Sequence, residues 1–264
     1  MTSDTATSDP IVELDRRPDG IAVITLRNGK VNALSGAVLE ELHRIVVGLA
    51  ADLPKVVVVT GGERIFAAGA DISEFGGPEE AVAITARFHR ALDALAALPR
   101  LVIAEVAGYA LGGGCELALA CDYRVASTKA VFGQPEILLG IIPGGGGTQR
   151  LTRTIGASRA KEMCITGRQV RSDEALRIGL ADEVVEHEEL RARVMELATA
   201  VAAGPTTAQA ITKRVIDEGL AAGLSAGLAA EQAAFAEVFA TEDSQIGVKS
   251  FLENGPGHAE FTGH

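Results

Sequence analysis

The spacing of hydrophobic positions switches between two periods along this chain, and it does so in a repeating order. Residues 21–26 form a nearly continuous apolar run that ends in Arg27-Asn28-Gly29-Lys30. Beyond Ser35, apolar residues recur at Val38, Leu39, Leu42, Ile45, Val46 and Leu49. Spacings of three and four predict a helix, and a serine before its first turn predicts an N-cap. The order returns at residues 56–60, followed by Gly61-Gly62-Glu63-Arg64 and a helix over 78–98, with Ile84, Phe88, Leu92 and Leu95 on one side. A third strand over 101–106 leads through a glycine-rich turn to a short apolar helix over 115–120. Val56-Val57-Val58-Val59 has no polar alternate, which predicts a strand covered on both faces. Strand, turn and helix repeated in this way predict a layered α/β core.

From residue 158 onward the strand signals fade. Segments 158–166, 172–178, 188–203, 206–218, 225–239 and 243–252 read as helices, separated by Gly156, Gly167, Gly179, Gly204-Pro205 and Gly219. The expected organisation is a disordered tail over residues 1–10, an α/β core over 11–200 and a helical C-terminal region over 201–264. The small apolar faces of that last region suit packing on the core or on another subunit.

Composition narrows the possibilities. The 264 residues are 47% hydrophobic and 22% charged, enough for a sizeable core. Aromatics are 4% and Trp is absent, which argues against a base-stacking platform. With 24 basic and 35 acidic residues the net charge is −11, the opposite of a nucleic-acid footprint. An anionic ligand must therefore be held by local features. The most apolar region, 92–120, is interrupted by Asp93, Arg100, Glu105 and Glu116, so no membrane partner is expected. Three cysteines without a CxxC pattern fit a reduced, cytoplasmic setting.

Candidate chemistry clusters at the glycine turns. Gly112-Gly113-Gly114 precedes an apolar helix, whose first N–H groups are unpaired and carry partial positive charge. Glu116 lies just inside that helix among Leu117, Ala118 and Leu119. Glu136 follows Gly133-Gln134-Pro135 and precedes an apolar run. Acids in such surroundings have raised pKa values, and two of them can divide the work of proton donor and water-activating base. Small residues around Ala70 leave backbone uncovered, so an N–H there and one from the 112–114 turn could form an oxyanion hole. Cys115 reads as a buried structural thiol, and the five histidines have no metal-ligand spacing.

Phe66-Ala67-Ala68-Gly69-Ala70-Asp71-Ile72, Ala110-Leu111-Gly112-Gly113-Gly114-Cys115-Glu116-Leu117, Phe132-Gly133-Gln134-Pro135-Glu136-Ile137 and Pro143-Gly144-Gly145-Gly146-Gly147-Thr148-Gln149-Arg150-Leu151 together resemble the signature segments of enoyl-CoA hydratases of the crotonase superfamily. The resemblance runs in order from about residue 11 to about 253. It implies a spiral of repeated ββα units with a helical C-terminal trimerisation region, giving a homotrimer or a dimer of trimers. It implies an acyl-CoA thioester substrate and no metal or redox cofactor, coenzyme A entering only as part of the substrate. The family's oxyanion-hole amides map onto Ala70 and Gly113 and its catalytic glutamates onto Glu116 and Glu136. Substrate contacts map onto Ala68, Asp71, Ile72 and Gly144. Both glutamates are present, which favours hydration over isomerisation, other crotonase-type reactions or mere acyl-CoA binding. Ser73 and Asn254 stand where many relatives carry basic residues.

Overall fold

Two strands of unlike length precede each of the first three helices. In the computed structural model, which describes residues 10–264, β1 (Val12–Arg16) and β2 (Ile21–Leu26) lead to α1 (Gly36–Ala51). β3 (Val56–Thr60) and β4 (Ile65–Ala68) lead to α2 (Pro78–Ala96). β5 (Val102–Val106) and β6 (Tyr109–Leu111) lead to α3 (Gly113–Ala120), after which come β7 (Tyr123–Ser127) and β8 (Val131–Gly133). The ββα repeat is thus present three times. Except for Pro10, the tail expected over residues 1–10 lies outside the described residues.

The remaining elements are α4 (Gly147–Ile155), α5 (Ala157–Thr166), β9 (Gln169–Arg171), α6 (Ser172–Ile178), β10 (Glu183–Val185), α7 (Leu190–Ala202), α8 (Thr206–Ala222), α9 (Leu224–Val238) and α10 (Glu242–Asn254). From β3 to β8, successive strands alternate between two sheets. A six-stranded sheet has the order β1-β2-β3-β5-β7-β10, and a four-stranded sheet has the order β4-β6-β8-β9. Except for the β1–β2 and β8–β9 pairs, neighbouring strands run parallel.

The all-valine run follows from this layering. Val57 and Val59 face the main core with Leu39, Leu42, Leu92 and Leu95 of α1 and α2. Val56 and Val58 face a second core, closed by Leu190, Val194, Ala198 and Ala202 of α7. All four valines are fully buried, and each such side chain contributes about 1.5–3 kcal/mol. The helix over 36–51 begins as its sequence predicts: the Ser35 hydroxyl accepts from Val38 N–H, and the whole apolar stripe is buried.

Several details differ from the sequence expectation, among them helix α4 and the short strands beside the three expected ones. α3 begins at Gly113, because glycines can form its first turn beneath β4. α8 continues to Ala222, past the glycine at 219 that was read as a break. Strands β9 and β10 lie in the connections between the expected helices, where no strand was expected. Each has three residues, too few to show a period of two, and each is induced by a neighbour, β8 and β7 respectively. The C-terminal helices are tied to the core by Lys213, which reaches Asp122 Oδ2 at 2.7 Å and the Arg100 carbonyl at 3.1 Å.

Candidate active site

The C-terminal ends of β4 and β6 and the start of α3 converge on one place. Gly112 has φ +51°, a conformation that side-chain-bearing residues rarely adopt, and this turn swings the chain from β6 into α3. Gly114 brings the helix start against β4 so closely that a Cβ there would lie 2.0 Å from the Ala67 carbonyl oxygen. The Ala70 nitrogen consequently sits 3.5 Å from the position a Cβ on Gly113 would take. Neither the Ala70 nor the Gly113 N–H is engaged in the turn, cap and loop hydrogen bonds around it. Two neighbouring N–H donors, one of them at a helix N-terminus, are an arrangement that can stabilise developing negative charge.

Glu116 projects from the first turn of α3 and is 2% exposed. Its Oε1 accepts from Gly145 N–H and Gly147 N–H, both at 2.7 Å. The 144–147 glycine turn, which leads into α4, is therefore folded over this carboxyl group. Burial pushes the Glu116 pKa up, while the Gly147 and Gly145 amides, Arg150 and His89 pull the other way.

Glu136 stands on a 3-10 turn, Pro135–Leu139, that ends at Gly140 in the left-handed conformation. Its Oε1 lies 3.0 Å from the position of a Cβ on Gly112, so it faces the same turn as the two amides. Burial raises its pKa to about 7, with the charge of Glu116 adding to the rise. The two acids thus share one site, and one of them is poised to be protonated near neutral pH.

Sequence pattern alone marks no function at Gln134 or Phe88, yet both belong here. Gln134 is fully buried. With its side-chain nitrogen turned toward Glu136, it donates to both carboxyl oxygens, at 3.0 and 3.2 Å. A fully polar side chain beside a candidate acid was the available signal. Phe88, on the apolar stripe of α2, packs its ring against both Gly113 and Gly145.

The sequence-derived substrate residues divide into two groups. Ala68 ends β4, and Asp71 and Ile72 follow it within four residues. Ile72 is 62% exposed and open to a ligand. The Asp71 carboxylate is committed to capping the next turn, accepting from both Ser73 N–H and Ser73 Oγ. Gly144 lies on the other side of the acids, against Thr85 of α2. Cys115 is wholly buried, and burial raises its thiol pKa, in keeping with a structural thiol.

Comparison with known proteins places this geometry. A family model described as enoyl-CoA hydratase/isomerase matches residues 16–263. The short-chain-enoyl-CoA hydratase of Clostridium acetobutylicum is 41% identical over 241 residues, covering 88% of this chain and 91% of that one. The crotonyl-CoA hydratase of Syntrophomonas wolfei is 38% identical over 245 residues, covering 90% and 93%. A crystal structure of an enoyl-CoA hydratase from Bacillus anthracis superposes with a TM-score of 0.91 at 36% identity, covering 97% of this chain and 100% of that one. With most of its length matched in sequence and in fold, the chain belongs to the enoyl-CoA hydratase/isomerase family.

Proposed function

We propose that this protein is an enoyl-CoA hydratase, adding water reversibly across the double bond of a 2-enoyl-CoA thioester to give the 3-hydroxyacyl-CoA. The observation that carries this reading is the pairing of Glu116 and Glu136 beside the two unengaged amides of Ala70 and Gly113. The thioester oxygen accepts from those amides. Glu116, as carboxylate, takes a proton from the water that attacks Cβ. The electron pair of the double bond moves toward the thioester and forms an enolate, whose oxygen the amides stabilise. Glu136, as neutral acid, delivers its proton to Cα. Atoms and charge balance with no metal or redox cofactor: one water is added, and the enzyme regains its protons by exchange between the acids and solvent.

Ala68, Asp71 and Ile72 on one side and Gly144 on the other are the proposed substrate contacts. The relatives named for short-chain and crotonyl substrates support a short acyl chain. A homotrimer or dimer of trimers belongs to the same proposal. It is supported by exposed Leu220, Leu224, Leu228, Phe235, Phe251 and Leu252 on α8–α10, more apolar surface than a monomer usually leaves in water. A cytoplasmic setting is supported by three free cysteines.

The test is a product assay with 2-enoyl-CoA substrates of increasing chain length. Formation of 3-hydroxyacyl-CoA, fastest on the shortest chains, is expected. Double-bond migration without water addition overturns the reading.

A further inference from the structure

The turn that grips Glu116 is itself gripped from its other side. Gly145 and Gly147 direct their N–H groups inward to Glu116 Oε1. On the outside, Arg150 Nη1 donates to the Gly145 carbonyl at 3.2 Å. Its Nη2 donates to Asp93 Oδ1 at 2.6 Å. The Nη1 end of the guanidinium closes on Gly146, where φ is +110° and an added Cβ would come 2.3 Å from Nη1. Asp93 belongs to α2 and Arg150 to α4, so a chain of contacts runs from α2 through the guanidinium and one peptide unit to the carboxylate on α3.

We infer that Arg150, anchored by Asp93, is a positioning residue for Glu116: it clamps the outer face of the 145–147 turn and so fixes the two amides that orient this carboxylate. The inference rests on the reading of Glu116 as the water-activating base. A glycine-rich turn has no side chains of its own to hold it, and glycine has more backbone freedom than any other residue. Something outside the turn must restrict it if the two 2.7 Å bonds are to persist. A planar guanidinium reaches a carbonyl and a carboxylate together through separate N–H groups, which a single ammonium does less well.

Charge acts in parallel. The groups facing Glu116 are Arg150 from α4, His89 from α2 and Glu136 from the 3-10 turn, with Asp93 behind Arg150. Arg150 lowers the Glu116 pKa against the effect of burial. Without this cation the carboxyl holds its proton to higher pH.

The experiment is the pH profile of kcat with crotonyl-CoA for Arg150→Met, Arg150→Lys and Asp93→Asn, with melting temperatures to verify folding. Arg150→Met should lower kcat by about 10-fold, since small misplacements of a catalytic group have effects of this size or larger. KM should change little, and the acid limb of the profile should move to higher pH. Arg150→Lys keeps the cation, so its acid limb should stay near the wild-type position while kcat remains reduced. Asp93→Asn, at an exposed position with no threat to folding, should reproduce the kcat loss in weaker form.

A Glu116→Gln background separates this inference from the one beneath it. If Glu116 is the base, Glu116→Gln alone is severely impaired, and adding Arg150→Met should then cause little further loss. A full further 10-fold loss in that background overturns the positioning role. So does an unmoved acid limb in Arg150→Met, or complete rescue of kcat by Lys. Wild-type kcat in Glu116→Gln itself overturns the assignment of the base, and the role of Arg150 with it.

Discussion

Gly147 donates its backbone N–H to Glu116 Oε1 at 2.7 Å, so the start of α4 is bonded to a carboxyl group on α3. With the matching bond from Gly145, one oxygen of Glu116 is occupied by donors that favour its anionic form. Oε2 accepts no hydrogen bond from the described residues, which leaves it free to take a proton in the proposed reaction. Glu136 has no such pair of backbone donors from another element, and burial keeps its pKa near 7. In the proposed reaction this asymmetry favours Glu116 as base and Glu136 as acid, although the Gln134 amide also donates to Glu136. Glu116→Gln and Glu136→Gln should each lower kcat for hydration by about 10²-fold or more, the size expected of positioned acid–base groups. Near wild-type turnover in either variant removes that residue from the mechanism.

The raised pKa of Glu136 has a cost in stability with a definite sign. In the unfolded chain this carboxyl titrates near its ordinary value of 4.5, and in the folded protein at about 7. Between these values the folded state binds the extra proton, so stability falls as pH rises through the window and stays lower above it. Glu136→Gln cannot ionise and escapes the penalty. Its melting temperature should exceed that of the wild type at pH 8, by an amount equivalent to roughly 1–3 kcal/mol. The difference should shrink or vanish at pH 4.5. A gap of the same size at both pH values would falsify the titration account. In the same way, kcat/KM for hydration should decline as pH rises through about 7, where the free enzyme loses its acid.

The two-amide site depends on how closely α3 approaches β4. Alanine at position 114 gains helix propensity, but its Cβ would lie 2.0 Å from the Ala67 carbonyl oxygen, and backbone must move to admit it. Since Ala70 follows shortly after Ala67, the movement separates the Ala70 and Gly113 amides. Loss of one such donor lowers kcat by about 10²–10³-fold. Gly114→Ala should therefore lose turnover far out of proportion to any change in KM, while circular dichroism reports an intact fold. Retained turnover would show that this contact does not set the amide geometry.

Much of this arrangement can be read from the sequence, with limits set by element length. The Val38-to-Leu49 stripe and the Ser35 cap were legible because a long helix repeats its pattern and a capping side chain has a local partner. Val56–Val59 was legible because burial on both faces leaves no polar alternate. β6, β8, β9 and β10 have three residues each, and neighbouring strands, not local pattern, decide them. The acids stood out as charges in apolar runs. Gln134 and Arg150 did not, although both lie inside the quoted motifs. Their importance comes from side chains folded back onto Glu136 and Gly145, and spacing along the chain carries no trace of those contacts.

The exposed leucines and phenylalanines of α8–α10 predict self-association. Light scattering at micromolar concentration should return a mass of three or six chains. Leu228→Glu and Phe235→Glu, placed on this exposed surface, should shift the protein toward monomer without changing the hydrophobic cores, in which neither residue takes part. A stable wild-type monomer defeats the prediction.

The last prediction concerns the phosphates of coenzyme A. In the proposed binding mode the segment after β4 meets the ligand, and it offers little positive charge. Ser73 spends its N–H and hydroxyl on Asp71 Oδ1, at 3.0 and 2.7 Å. Glu74 adds a second carboxylate and is bonded to the Gly36 amide. Arg64 stands at the other end of β4, lining a cavity with Tyr109, Lys129 and Arg171. Four residues of strand span roughly 13 Å, which sets it apart from the Ala68–Ala70 end. Arg27 is paired with Glu13. With a net charge of −11 around it, the phosphate end gains little from Coulomb attraction, and binding rests on backbone N–H groups and on the pantetheine and adenine contacts. Exposed phosphate–lysine pairs contribute only about 1 kcal/mol or less and are screened by salt, so their absence leaves turnover intact. KM for the CoA thioester should accordingly stay flat, or fall slightly, between low and high ionic strength. Ser73→Lys should introduce a rise of KM with salt and lower KM at low salt. A steep rise in the wild type would mean that Lys30 or another cation holds the phosphates, and that the negative field around this segment does not govern binding.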